Sequence, residues 1–278
     1  MEIGKINNLT VAQETDEGFI FIDSTNDTAL LPHAYVTSQI NTGEEMDVFV
    51  QVDKNGELVV SLSKPYIQIG EYALLQAKEV NEFGAFIDWG LPNELLIPYT
   101  QQAEKMETGS WYVIFLLKDL KTGRLIGSSK LENFFEFDNI EVKDGDEVDL
   151  MLYNQSDLGM NAIVNNLYKG LIFNSDIHKN ISPGDKMKGY VKLVREDGKI
   201  DLSLEPIGFK QSIDGNSEVI INLLNANGGF LRLTDKSSPE DIKDQLGLSK
   251  KAFKRAIGGL YKQKLIDIQD DGVKLIKP

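Results

Sequence analysis

One phrase recurs three times along this chain at nearly constant internal spacing, and it limits the fold before any other property does. Each copy has a short apolar step ending at Pro32, Pro98 or Phe173, and after the same eleven-residue interval a glycine, Gly43, Gly109 or Gly184. An apolar strand and a Gly-led closing strand follow: Gly56 to Leu62, Gly123 to Ser129 and Gly198 to Leu204. The two glycines of each copy lie 13, 14 and 14 residues apart, so both strands and the turn between them repeat in length. Repetition at fixed intervals marks one compact all-β unit present in three copies. At roughly 60 to 70 residues each unit is long enough to close a small barrel.

Period-2 alternation supports strands within the copies. Ile200, Leu202 and Leu204 alternate with Asp201 and Ser203, and Trp111, Val113, Phe115 and Leu117 share one face, read here as barrel core. Hairpin turns are offered by Asp53-Lys54-Asn55-Gly56, Lys121-Thr122-Gly123 and Glu196-Asp197-Gly198, where glycine accepts the positive φ the turn needs. Trp89 and Trp111 are expected in the core or at a barrel rim.

After about Ile213 the pattern becomes helical. Val219, Ile220, Leu223 and Leu224 form an apolar face, and Gly228-Gly229 stops that helix. Ser238-Pro239-Glu240-Asp241 reads as a helix start: a serine cap, proline at the first helical position and acids in the first turn. Ser249 caps a third helix to about Lys264, with Phe253, Ala256, Ile257, Leu260 and Tyr261 as its buried stripe. Its other side carries Lys250, Lys251, Lys254, Arg255, Lys262 and Lys264 and no acid. A hairpin through Gln269-Asp270-Asp271-Gly272 completes the order of a winged helix-turn-helix domain. The division predicted is a barrel over 1–63, a second over 66–130, a third over 143–206 and a winged helix over 213–278. The stretch Leu131 to Val142 is an acidic connector whose Phe134, Phe135 and Phe137 are expected to dock on a neighbouring barrel.

Charge and composition narrow the function classes. The net charge of −14 opposes polyanion binding as a whole, so its distribution matters. The first copy carries −9, the second −2, the third −3, and the segment after Ile213 carries +2. No cysteine excludes disulfides, thiolate metal sites and cysteine nucleophiles. No charged stretch with an apolar core opens the sequence, and no apolar run approaches about eighteen residues. A cytoplasmic protein with no membrane contact is expected. His33 and His178 lie in different copies without ligand-spaced partners, and no phosphate-binding glycine loop, HExxH or GxSxG occurs. The expectation is a protein without a catalytic residue, metal or cofactor.

The run Val80-Asn81-Glu82-Phe83-Gly84-Ala85-Phe86-Ile87-Asp88, with Leu95-Leu96-Ile97-Pro98 and Arg124-Leu125-Ile126, resembles the S1 RNA-binding domain, a five-stranded OB-fold barrel. Three such barrels followed by a winged helix resemble the bacterial conserved virulence factor B family over the whole chain. The fold class this implies is mainly β, with three tandem S1-like OB barrels plus an α+β winged helix.

The resemblance points to Phe83 and Phe86 as base-stacking aromatics, each worth about 1–3 kcal/mol per base, with Asp119 and Arg124 completing the site. The family's histidine is replaced by Pro98. In the third copy Leu158 and Asn161 stand in the aromatic positions, Phe173 stands at the histidine position, Arg195 replaces the aspartate, and Lys199 matches the basic position, a candidate phosphate contact. In the first copy Glu17 and Glu57 occupy an aromatic and the basic position, leaving Phe21 and Asp53 as partial matches. With −9 charges that barrel is read as structural or protein-binding.

Plainer readings stand beside these. Phe83 and Phe86 could be half-buried strand aromatics, Asp119 and Arg124 a cross-strand ion pair, and Lys250, Lys251, Lys254 and Arg255 a solvated helix face. The function expected is a non-catalytic binder of single-stranded RNA acting after transcription on gene expression. The alternatives are an adaptor in a ribosomal or RNA-decay complex that docks a basic protein, and a DNA binder acting through the winged helix.

Overall fold

The computed structural model of the chain describes residues 1–206, 215–262 and 264–276. They fall into two compact units, Met1–Leu204 and Glu205–Pro278. The expected helical start at Ile213 lies outside the described residues.

The first unit holds three five-stranded barrels in tandem. The first is built from β1 (Ile6–Glu14), β2 (Gly18–Ile22), β3 (Thr28–Pro32), β4 (Glu45–Val52) and β5 (Leu58–Ser61). The second has β6 (Tyr72–Asn81), β7 (Gly84–Asp88), β8 (Leu95–Pro98), β9 (Trp111–Lys118) and β10 (Leu125–Ser128). The third has β11 (Glu147–Gln155), β12 (Gly159–Val164), β13 (Tyr168–Phe173), β14 (Lys186–Val194) and β15 (Ile200–Ser203).

The sequence phrase has a physical cause. Gly43, Gly109 and Gly184 take φ of 87°, 85° and 95°, and their N–H groups donate to the carbonyls of Val11, Ala77 and Leu152 at 2.8, 2.7 and 2.7 Å. Each bond lands beside a bulge at the same place in the first strand of its barrel, where an extra residue bends the strand and tightens its twist. A second set of glycines heads the second strands. Gly18, Gly84 and Gly159 face Pro32, Pro98 and Phe173 in register, and a Cβ on any of them would meet a carbonyl oxygen at 2.0 to 2.2 Å. Only glycine fits there.

The barrels differ at closure. The first and third close through parallel pairing of their third and fifth strands, by Leu30↔Val59 in the first and by three pairs from Gly170↔Ile200 to Ile172↔Leu202 in the third. In the second, β8 and β10 are the two edges of a sheet that stops short of hydrogen-bonded closure. Its interior is packed with Ala77, Ala85, Ile87, Ile97, Ile114 and Leu116, each fully buried. The face Trp111, Val113, Phe115 and Leu117 therefore points out of the barrel, a correction to its reading as barrel core. Val113 and Phe115 are covered from outside, by Leu131, Phe134 and Phe135 of the connector together with Tyr72, Met151 and Ile163. Phe115 and Phe134 stack at 4.2 Å between centroids, and Phe135 lies 5.9 Å from Tyr72 and 5.8 Å from Tyr153. The connector phenylalanines thus join the second barrel to the third, and Glu132 holds the seam by accepting from Lys169 (2.7 Å) and the Tyr153 hydroxyl (3.1 Å).

The second unit has α1 (Gly215–Ala226), β16 (Phe230–Leu231), α2 (Pro239–Leu246), α3 (Lys250–Lys262), β17 (Ile266–Gln269) and β18 (Gly272–Leu275), with sheet order β16-β18-β17. The Ser238 hydroxyl accepts from the Asp241 N–H at 3.0 Å and Ser249 from Ala252 at 3.2 Å, each satisfying an otherwise unpartnered helix-start donor. Gly247 ends α2 at φ 68°. The core joins Ile220 and Leu224 to Ile242, Phe253, Ile257 and Leu260. Two expected core residues are exposed instead, Val219 and Tyr261. Ser217, Ile220 and Leu224 form the buried stripe of α1, which places Val219 on the solvent side. No described helix is long and apolar enough to cross a membrane.

Candidate nucleic-acid interface

Phe83, Phe86, Asp119 and Arg124 line a single cleft of about 960 Å³ on the second barrel. The turn before β7 presents Phe83 outward: the Asn81 side chain accepts from the Phe83 N–H at 3.0 Å and fixes the approach to Gly84. Phe83 is 64% exposed, which an aromatic ring in water tolerates poorly and a stacking platform requires. Phe86, on β7, is half-buried behind it.

Asp119 and Arg124 flank the turn from β9 to β10. Their backbones pair, the Asp119 N–H donating to the Arg124 carbonyl at 2.8 Å. Their side chains do not: Asp119 accepts from the Thr122 hydroxyl at 2.6 Å and from the Thr122 N–H at 3.1 Å. That hydroxyl, before any charge, holds the Asp119 carboxyl below the usual carboxylate range. Asp119 is thus a turn builder, and the exposed Arg124 guanidinium has no ion pair among the described residues.

The first barrel forms the opposite wall of the same cleft, through Pro32, Tyr35, Gln51, Asp53, Lys54 and Val59. Sequence reasoning left Tyr35, Gln51 and Lys54 out. The available signal was the kinship of the two turns, Asp53-Lys54-Asn55-Gly56 and Asp119 to Gly123, each an aspartate folding a lysine-bearing loop that ends in glycine. The two barrels are pinned to each other by Phe49, whose ring meets Trp89 edge-on at 5.6 Å, and by the Tyr35 hydroxyl, which donates to Asn93 Oδ1 at 3.4 Å. Trp89 is buried, as expected, while Trp111 is 59% exposed.

Phe21, offered as a partial match in the first barrel, is fully buried. Strand register explains the correction: with Gly18 and Gly84 equivalent, Ile20 stands at the place of Phe86, and Phe21 falls one residue on, with the inward-facing Ile87.

In the third barrel Phe173 is covered by Arg195, whose guanidinium carbon lies 5.8 Å from the ring centroid. Arg195 is also ion-paired with Asp201 at 2.5 Å, and Lys199 with Asp197 at 2.7 Å. The cations proposed for this copy are engaged within it.

On α3, Lys251, Lys254 and Arg255 are exposed and Lys250 is half-buried. The fold brings Asp235 within 3.6 Å of Lys254, so the basic face is less free of acids than the helix segment alone implies.

Residues 218–275 match the CvfB-like winged helix domain and residues 3–63 match the S1 domain. The S1 match lies on the first barrel, the copy whose binding motif is most altered. The chain is 30% identical over 242 residues to the conserved virulence factor B of Staphylococcus epidermidis ATCC 12228, covering 84% of this chain and 81% of that protein. It is 29% identical over 247 residues to that of Staphylococcus aureus USA300, covering 86% and 82%. A solved Streptococcus pneumoniae structure, described as a multidomain protein with nucleic acid binding domains, is 24% identical with coverage of 99% and 98% and a TM-score of 0.42.

Proposed function

The chain belongs to the conserved virulence factor B family, and on that premise we propose that it is a non-catalytic RNA-binding protein that regulates gene expression after transcription. Single-stranded RNA stacks on Phe83 and Phe86, Arg124 meets a phosphate, and the Lys250, Lys251, Lys254 and Arg255 face of α3 supplies further phosphate contacts. The observation that carries the proposal is the convergence of an exposed aromatic, a second aromatic and an arginine without an ion pair among the described residues on one open cleft. Single strands suit this site better than duplex, because splayed bases offer faces to an aromatic platform and paired bases do not. Lys199 and Phe173, engaged with Asp197 and Arg195, are secondary contacts at most in this scheme.

Fluorescence anisotropy of the full chain with single-stranded RNA homopolymers and with duplex DNA tests the proposal. Phe83→Ala with Phe86→Ala is expected to weaken RNA binding by roughly 2–6 kcal/mol while the circular-dichroism spectrum stays native. Unchanged affinity in the folded variant rejects the site. Exchanging Lys250, Lys251, Lys254 and Arg255 for Gln is expected to lower affinity for all sequences alike and to flatten the salt dependence by about 0.7 per lost contact. A retained slope would make α3 a protein-docking surface.

A further inference from the structure

We infer that the first barrel is half of the RNA site: the cleft between the first two barrels takes bases of one single strand against Phe83 and Phe86 on one wall and Tyr35 on the other. The inference rests on the RNA reading just given and extends it to a barrel whose −9 charge argued against any such role.

Equivalent edges meet in this cleft. Pro32 ends β3 as Pro98 ends β8, Val59 holds the place on β5 that Ile126 holds on β10, and the Asp53 and Asp119 turns stand at the matching position; all six residues line it. The two edges are also the weakest closures of the three barrels, a single parallel pair in the first and none in the second. Strands that do not finish pairing with each other leave backbone donors and acceptors for a ligand.

Local charge differs from the charge of the barrel. Asp53, Glu94 and Asp119 are the acids of the lining, and the first and last are turned toward their own loops: Asp53 accepts from the N–H groups of Asn55 (2.8 Å) and Glu57 (2.9 Å), and Asp119 accepts from the Thr122 hydroxyl (2.6 Å). All three keep their charge. With them stand Lys54, exposed and without an ion pair among the described residues, and Arg124, so the lining is close to neutral where the first barrel as a whole carries −9. The acids that give the first barrel its charge, such as Glu2, Glu14 and Glu44, are not among the cleft residues.

The cleft is preformed as well. Phe49 of the first barrel is 1% exposed and packs in the core of the second, so the walls are set by buried contacts. A ligand entering it spends little free energy on ordering the protein. With two cations, the cleft gains affinity from stacking and hydrogen bonding more than from counterion release.

The experiment uses the full chain with labelled oligouridylate and oligoadenylate. Tyr35→Ala is expected to lower affinity roughly 5- to 150-fold, the range for one lost stack, and Tyr35→Phe, which keeps the ring and gives up only the long 3.4 Å bond to Asn93, to restore most of it. Lys54→Gln is expected to reduce the salt slope by about 0.7. If both variants bind as the unaltered chain does while Phe83→Ala with Phe86→Ala binds weakly, the two-wall site is rejected and the second-barrel reading survives. If none of these changes alters binding, the RNA reading of the cleft itself falls. Photo-crosslinking of a 4-thiouridine oligomer to the unaltered chain guards against a misfolded Tyr35→Ala: crosslinks near Tyr35 or Lys54 support the inference, and crosslinks confined to the second barrel overturn it.

Discussion

The second and third barrels share a scaffold and differ in almost everything laid upon it. Both carry a bulge in the first strand, a glycine that cannot bear a side chain at the head of the second, and a glycine-closed turn before the fifth. Yet the second presents Phe83 to solvent and gives Arg124 no ion pair among the described residues, whereas the third puts Leu158 and Asn161 in the aromatic places and ties Arg195 and Lys199 to its own aspartates. The difference extends to the turn itself. A Cβ on Gly198 would meet the Phe137 carbonyl oxygen at 2.1 Å because the connector lies over that turn, while the Asp119 turn opens on the cleft. What the copies preserve is the glycine-set geometry of the first two strands and of the turn before the fifth, and what separates them is whether surface groups are satisfied internally.

The largest effect tests the shared part. Gly84→Val and Gly159→Val should each cost roughly 2–6 kcal/mol in denaturant unfolding, since each forces a side chain onto a carbonyl and into a φ that L residues avoid. A negligible cost at Gly159 would break the claim of a common scaffold.

The next effect tests the divergent part. Leu158→Phe with Asn161→Phe, placed in the chain that already carries Phe83→Ala and Phe86→Ala, should recover about 1–3 kcal/mol of RNA affinity. No recovery in an anisotropy titration would mean that aromatics alone do not separate the two surfaces.

A smaller change concerns charge. Asp197→Asn with Asp201→Asn releases Lys199 and Arg195, and should steepen the salt dependence of RNA binding by about 0.7 for each new phosphate contact. Asp197→Asn should barely move stability, because the Lys199–Asp197 pair is exposed, and Asp201→Asn should cost more, since the Asp201 side chain is only 15% exposed.

The smallest effect is a titration. The Lys199 ammonium holds the Asp197 carboxyl below the usual carboxylate range. A depressed folded pKa means the pair is intact above the unfolded aspartate value and is lost as pH falls through the lower folded one. Carboxyl NMR should show the Asp197 midpoint rising toward the ordinary value in Lys199→Gln; an unmoved midpoint would remove Lys199 as the cause.

The fold was legible because glycine spacing records backbone constraints that no other residue meets, and Gly43, Gly109 and Gly184 each close the same bulge. The interior was less so. On β9 both faces are apolar, one turned into the barrel and the other covered by the connector, so alternation could not say which was inside. Phe21 shows a related effect: it lies near the spacing of a stacking aromatic, but Gly18 sets the register and places Ile20 there. The aromatics and the arginine of the second barrel were visible as a linear motif. The facing wall was not, since Tyr35 and Lys54 reach the cleft only through packing between barrels. Asp235 likewise meets Lys254 only through the fold, from outside the helix segment.

Phe49 carries a consequence for how the protein is made. It belongs to the first barrel in sequence, but its ring is covered by Trp89 and it packs in the core of the second. During translation a nascent chain that has produced the whole first barrel still holds a large apolar ring without its cover. At about 5–20 residues per second, roughly 2–8 s separate the making of Phe49 from that of Trp89. Throughout that window the first barrel carries an uncovered apolar ring. The contact that fixes one wall of the cleft against the other is thus also the step at which synthesis of the second barrel completes the first.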